Sequence, residues 1–532
     1  MMIAKTSHSA SSPPSSVWYW NFGAIVVFWT AYLVIQVPVP GVNEPHYLCK
    51  AKHFWQPGYC RGDFFLDSAN THYVFYTAFG WLTLFFPLGT VAIVGRVISI
   101  GLLAASWTSL TRRVSSVQWA PAGSAALFLG LTSFQNFSGE WIVGGLESKV
   151  IAYGSLFYAW SCLFDQKWSL AAILMGVSIS FHPVVAGWGL ISTCLGTGFF
   201  VWQNGSDALN LSAKKFGLCF VLTLVCSLPG LIPALTTLMS PIKRADFADQ
   251  LQVFRRLGHH LNPVQFPTQA YWVYGGLLLL WGILVYREGS LRKQSQHSEM
   301  TVNQQLWQRI VLGSLLVALG GLAVGWGNHY VGSPAVNQLL VKLMKFYPFR
   351  LADVVLPLAV SLLMINLAQR EGQIVRWRSV SLKLSGLIAA ATALLLILPS
   401  RNVDGYSASK TESWIDICQW IEDNVSNDAI VLAPRSSVTF RWYSSRAAYV
   451  TFKDCPQDAA GILEWDRRLS VYKDWASESF ENDNLFSEDE LLELVQFTQA
   501  THLLVSRMGP FEREPIHRNE HYRLYELPKL ED

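Results

Sequence analysis

Glu44 is the residue whose type and place most readily suggest chemistry. It stands in Gly41-Val42-Asn43-Glu44-Pro45-His46-Tyr47, a few residues beyond an apolar run. A carboxylate at such a membrane exit is partly desolvated, which raises its pKa and suits it to take a proton from an incoming hydroxyl. The plainer reading is an N-cap for a helix over 45–54, because an acid suits the positive end of a helix. The same loop carries His46, His53, Asp63, Asp67 and His72. Of these, Asp63 is a second candidate for acid–base work and His46 a candidate for substrate contact. A further acidic stretch, GEWIVGGLESKV, holds Glu140 and Glu147, the latter in a Gly-rich turn. Glu147 could act directly, holding an acceptor or a metal, or it could pair with Lys149 or Arg96. Ionisable groups near a membrane interior usually have a partner or a job.

Cations gather in two places. Arg255, Arg256, His259 and His260 fall within six residues of FRRLGHHLNPVQF. Arginine grips phosphate oxygens in pairs, and a protonated histidine donates one more bond, so a lipid-linked phosphate is one ligand that fits. Anionic lipid head groups are another. A metal at the histidine pair is a third, although neighbours in sequence rarely point at one ion. Arg350, in KLMKFYPFRLADVVLP, enters an apolar run together with Asp353. An arginine facing lipid is costly, which makes Arg350 a candidate for holding a leaving phosphate. The alternative is an i,i+3 pair with Asp353 at a helix start. There is no Cys-x-x-Cys, no P-loop and no G-x-G-x-x-G opening a helix after a strand, so zinc-ribbon, thioredoxin-like and nucleotide-binding readings lack their signatures.

The scaffold that must position these residues is a membrane one. The chain is 51% hydrophobic and 14% charged, against roughly a quarter charged in an average soluble domain. Its 22 Trp suit the membrane–water boundary. A net charge of +3 gives no footprint for nucleic acid, which is not expected as a partner. A crossing needs about 20 apolar residues in a helix. The predicted spans are 18–38, 89–111, 119–135, 149–164, 168–183, 185–203, 216–238, 271–287, 309–326, 351–369 and 380–399. The first is read as a retained span rather than a cleaved signal peptide.

The aromatic segment 71–86 (THYVFYTAFGWLTLFF) ends at Pro87 and is read as lying along the interface. The short basic turns Arg112–Arg113, Lys167, Lys214–Lys215, Arg292–Lys293 and Arg376–Arg378 then fall with Lys5 on one side, the cytoplasmic one by the positive-inside bias. The expectation is a mainly α, polytopic bundle of about eleven transmembrane helices over 1–399. A small extracytoplasmic α/β domain follows over 400–532. Its strands are expected at 429–434, 447–452, 501–506 and 522–527, and its helices at WIDICQWIEDNV and SEDELLELVQFTQ. The expected setting is a bacterial inner (plasma) membrane with the N-terminus inside. In that topology Cys49 and Cys60 face an oxidising compartment. A disulfide between them would restrain the Glu44 loop by a few kcal/mol of loop entropy, and two free thiols are the alternative.

Asn43-Glu44-Pro45-His46-Tyr47, directly after the first span, resembles the acidic first loop of GT-C glycosyltransferases, which include protein mannosyltransferases and aminoarabinose transferases. The likeness continues in order through the aromatic helix 71–86, Arg96 early in the next span, the acidic loop with Glu140 and Glu147, and a closing α/β domain. Asn43 stands where the family's first acid is expected, and the family's Lys-Pro-Pro is absent. The resemblance implies an inverting transfer of sugar from a polyprenyl-phosphate donor to an acceptor on the extracytoplasmic face. Glu44 would be the base, Glu147 would assist, and Arg96, Arg350 and the 255–260 cluster would lie near the phosphate. No cofactor is required by any motif, and a divalent metal is compatible with the acids. A transporter or flippase, or an inactive scaffold that binds partners, are the competing readings. Internal charges at one set of helix ends, with no inverted repeat, speak against transport.

Overall fold

The computed structural model describes residues 15–134, 136–239, 242–294, 300–330, 334–374, 405–482 and 485–530. After α1 (Ser15–Gln36), two short helices, α2 (Lys50–Trp55) and α3 (Tyr73–Phe79), sit in the first long loop. There follow α4 (Leu88–Val114), α5 (Ala120–Phe134), α6 (Ser148–Phe164), α7 (Trp168–Phe181), α8 (Pro183–Asn204) and α9 (Ala213–Leu238). Beyond the small α10 (Ala245–Gln250) and α11 (Gly258–Leu261) come α12 (Thr268–Gln294), α13 (Val302–Tyr330), α14 (Pro334–Met344) and α15 (Ala352–Ile374). Among the described residues, α1, α4, α8, α9, α12, α13 and α15 are long and apolar enough to cross a membrane, and α7 is a shorter apolar helix. The protein is therefore a mainly α membrane bundle. Each expected span from 18–38 to 351–369 coincides with a helix, and 380–399 lies outside the described residues.

Segment 71–86 does not cross between α1 and α4. It forms α3 and a 3₁₀ turn, Gly80–Leu84, too short to span. Arg96 in the first part of α4 donates to the carbonyls of Val37 and Pro38 at 2.7 and 2.8 Å. The exit of α1 and the start of α4 thus share one end of the bundle.

α15 is apolar on every side and sits at the centre, against α5, α12 and α13, with Val354 to Val360 almost wholly inaccessible. Helices approach closely where a side chain is missing. A Cβ on Gly230 of α9 would stand 1.9 Å from the Ser180 carbonyl oxygen of α7. The contact matters because Pro229 interrupts α9. The Ser180 hydroxyl enters the broken ladder, donating to the Cys226 carbonyl at 2.8 Å and accepting from the Gly230 N–H at 3.3 Å. A neighbouring serine thus satisfies backbone groups that a proline disturbs inside lipid.

At the C-terminus, β1 (Ile430–Leu432), β2 (Ala447–Ala448), β3 (His502–Val505), β4 (His517–Arg518) and β5 (Arg523–Glu526) form one sheet in the order β2-β1-β3-β5-β4. β1 is parallel to β2 and β3, while β5 is antiparallel to β3 and β4. Alternation along the strands serves two cores. Val431, Leu504 and Leu524 face the helix Ala408–Asn424 through Trp414 and Ile417. Leu432, Leu503 and Tyr525 face the helices Ala459–Asn482 and Glu488–Thr498. The second core also takes in Ala248 and Leu251, so the sheet unit is packed onto the bundle. Ser487 and Glu490 form a capping box at the start of Glu488–Thr498. The strand expected at 447–452 is only the pair Ala447–Ala448 in the sheet, and β4 and the long helix Ala459–Asn482 were not anticipated.

Gly230→Ala should lower the thermal midpoint in detergent, by an overpacking cost of about 1–3 kcal/mol. Gly101→Ala, where nothing lies within 4 Å of the added carbon, should leave it unchanged or slightly higher. Equal midpoints for the two variants would contradict the packing described.

Candidate functional site

The loops at one end of the bundle bring six buried charges together, and they fall into two groups. In the first, Glu44 faces Arg96 in a two-pronged pair, with Nε to Oε1 and Nη2 to Oε2 both at 2.7 Å. The Gly41 N–H donates to Oε2 at 2.6 Å and the Leu146 N–H to Oε1 at 2.8 Å. Gly145 is needed for this approach, since a Cβ there would stand 2.8 Å from the Glu44 Cγ. Four donors occupy the Glu44 carboxylate, and an arginine stabilises its charge. Both carboxylate oxygens are thus engaged, and the group clamps the loop to α4. Nor does Glu44 act as the N-cap of the helical turns that follow, for its side chain makes no cap bond.

The second group is less saturated. Glu147, at the start of α6, accepts from the Asn43 side chain at 2.8 Å and lies 3.4 Å from Lys149 Nζ. Burial raises its pKa, against the downward pull of Lys149 and Asn43. Lys149 also reaches Glu140 at 3.5 Å and rests 4.0 Å over the Trp141 ring. Glu140 in turn meets Arg350 Nε at 3.0 Å and keeps a buried oxygen, Oε1, with no hydrogen-bond partner. Arg350 lies 3.2 Å from His182 Nε2 and 4.0 Å over the Tyr347 ring. The alternative i,i+3 pair with Asp353 is not formed. Asp353 instead accepts the N–H groups of Phe137 and Ser138 at 2.9 and 2.8 Å and so folds the loop that carries Glu140.

The remaining candidates join the loop to the sheet unit. Asp63 accepts the N–H groups of Phe65 and Leu66 at 3.0 Å, and that of Ala448 at 2.8 Å. It also pairs with Arg441, which bonds Asp454 as well. Asp454 completes the chain by meeting His46 Nδ1 at 2.9 Å. Burial would raise the Asp454 carboxyl, but Arg441 and His46 outweigh it and hold the group well below the usual range. Asp63 is as fully engaged as Glu44, and His46 is a tie between loop and sheet unit. Arg255 pairs with Asp466, and Arg256 donates to the Lys453 carbonyl from Nη2 at 2.6 Å, so both are engaged by the sheet unit. His260 alone of that cluster reaches toward the charged site, bonding the Ser138 carbonyl beside Tyr347. Among the described residues no group of three His, Cys, Asp or Glu is arranged to hold a metal. Cys49 and Cys60 are carried as two separate buried thiols, with the Tyr59 hydroxyl 3.5 Å from the Cys49 sulfur.

His182, Tyr347, Arg441 and Asp454 were not anticipated. His182 had a readable signal, an ionisable residue before proline between two apolar runs. The others had none, because they depend on contacts between distant segments.

Residues 412–471 match a family described as a domain of unknown function, DUF6798. That stretch includes Arg441 and Asp454. No curated protein matches the chain. Among solved structures, the chain is similar to ArnT from Cupriavidus metallidurans bound to undecaprenyl phosphate, at 12% identity and a TM-score of 0.49, covering 96% of this chain and 98% of that one. It is also similar to the oligosaccharyltransferase AglB from Archaeoglobus fulgidus in complex with an inhibitory peptide and a dolichol-phosphate, at 12% identity and a TM-score of 0.40, covering 92% and 69%.

Arg441→Ala should strand Asp63 and Asp454 as buried, uncompensated acids, at a cost of about 3–5 kcal/mol. Faster hydrogen exchange of 59–68 and 440–455 would register it, and unchanged exchange would contradict it. A pH effect is expected too. Burial lowers His72 and His260 to about 3, so both are neutral when folded but bind protons near pH 6.5 when unfolded. Stability should fall as pH drops from about 6.5 toward 3, and the double variant His72→Gln/His260→Gln should flatten that slope. A thermal midpoint independent of pH between 7 and 5 would contradict it.

Proposed function

We propose that the protein is an inverting glycosyltransferase that moves a sugar from a polyprenyl-phosphate donor to an acceptor hydroxyl on the extracytoplasmic face of the membrane. The observation that carries the reading is the Glu147–Lys149–Glu140–Arg350 series. It sets an incompletely bonded carboxylate and two cations within one buried cluster at the end of membrane-spanning helices. The donor's tail would lie among the helices, and its phosphate would meet Arg350 and Lys149. Arginine's planar fork suits phosphate oxygens, and lysine adds a compact charge.

In this reading Glu147 rather than Glu44 is the base. A carboxyl whose pKa is raised by burial is a better proton acceptor than one whose two oxygens are already taken by an arginine and two backbone N–H groups. Glu147 takes the acceptor's proton, the acceptor oxygen bonds to the anomeric carbon, and the carbon–phosphate-oxygen bond breaks on the opposite face. The phosphate leaves with the bonding pair, and Arg350 and Lys149 stabilise its growing charge. Glu44 and Arg96 hold Asn43 in place against Glu147. Charge distribution supports placing the cluster on the extracytoplasmic side. The turns with Arg112, Arg113, Lys167, Lys214, Lys215, Arg292 and Lys293 lie at the bundle's other end, which the positive-inside bias puts in the cytoplasm.

Transfer of radiolabelled sugar from a polyprenyl-phosphate donor by purified protein tests this. Glu147→Gln should lower the rate by about 10²–10⁴-fold while leaving donor binding intact. The wild-type acid limb should lie above the ordinary carboxylate pKa of about 4.3. Arg350→Gln should weaken donor binding and slow transfer together. Full activity in Glu147→Gln would remove it as the base, and sugar-independent lipid flux in liposomes would point to transport instead.

A further inference from the structure

We propose that the opposite end of the bundle holds one anionic phospholipid of the surrounding leaflet, in a groove between α8, α12 and α13. The groove encloses about 900 Å³ and is lined by Phe199 and Gln203 of α8, Trp281 and Lys293 of α12, and Arg309 and Leu312 of α13. Arg292 also lines it, paired with Glu288 at 2.6 Å, and among the described residues no Asp or Glu belongs to the lining itself. The Arg309 guanidinium bonds Gln203 through one terminal nitrogen and lies 5.0 Å from the Phe200 ring. Its Nε is buried with no hydrogen-bond partner among the described residues.

Three features select the occupant. A guanidinium with an unsatisfied N–H, beside a lysine, suits a phosphate ester. Among the described residues the acid nearest the lining, Glu288, is taken up by Arg292, which leaves Arg309 and Lys293 to meet a head group, so a net-anionic one fits better than a zwitterionic one. Below the cations the walls turn apolar, and Leu312, Leu316 and Leu319 of α13 and Ile283 of α12 remain exposed along the helices, a path for acyl chains. Basic pockets between spanning helices are where anionic head groups settle. This site stands on its own observations and does not depend on the transfer reaction.

Native mass spectrometry of the full chain in mild detergent, after incubation with dioleoyl phosphatidylglycerol or dioleoyl phosphatidylcholine, tests it. One phosphatidylglycerol should be retained, and phosphatidylcholine should not. Arg309→Gln and Lys293→Gln should each cut retention about fivefold, since one basic side chain near an anionic surface contributes about 1 kcal/mol. Arg309→Lys should keep most of the binding. Lys167→Gln, at the same end but outside the groove, should change nothing. The proposal is overturned if both lipids are retained equally, if inorganic phosphate displaces phosphatidylglycerol, or if Lys167→Gln weakens binding as much as Lys293→Gln.

Discussion

The buried pair of Glu44 and Arg96 is the interaction on which the arrangement at this end of the bundle rests. One guanidinium bonds both carboxylate oxygens and the carbonyls of Val37 and Pro38, while the carboxylate collects the N–H groups of Gly41 and Leu146. The first span's exit, the start of α4 and the turn before α6 are thereby fixed to one another. Buried ion pairs contribute little net stability compared with apolar packing, but removing one partner leaves a charge without compensation. The pair therefore specifies geometry, and Asn43 reaches Glu147 because Glu44, next to it, cannot move.

The Asp63–Arg441–Asp454–His46 chain does the same on the other side of the loop. Between the two clamps, Lys50 donates to the Phe65 and Ser68 carbonyls at 2.8 and 3.0 Å and to the Ser68 hydroxyl at 2.7 Å, closing the turn. The first loop is thus held at both faces, by a spanning helix and by the sheet unit. The loop gripped in this way holds Asn43 against Glu147, which stands in the turn before α6. The sheet unit is accordingly part of the scaffold for the charged site and more than an appendage.

Much of this was legible in the residues. Ten apolar runs became helices because burying a backbone in lipid admits few other solutions. The interfacial reading of 71–86 rested on charge bias and agrees with Arg96 reaching the exit of α1. Strands β1, β3 and β5 were visible through their apolar runs, β2 was expected to be longer than it is, and β4, with two residues, carries too little pattern to detect. Individual roles were harder to read. A sequence shows the acids Glu44 and Asp63 as candidate proton acceptors but not the donors, Arg96 and Arg441, that engage them in the fold. Arg255 and Arg256 looked like a phosphate site because their partners, Asp466 and the Lys453 carbonyl, lie some 200 positions away. Pairings of that kind are properties of the fold.

The most direct measurement is a structure of the full chain in nanodiscs with a polyprenyl phosphate bound. The account predicts the phosphate within hydrogen-bond reach of Arg350 and Lys149, with the Glu44–Arg96 pair unbroken and Glu147 facing the sugar side. A phosphate seated elsewhere in the bundle, or one held by Arg96 after displacing Glu44, would contradict it.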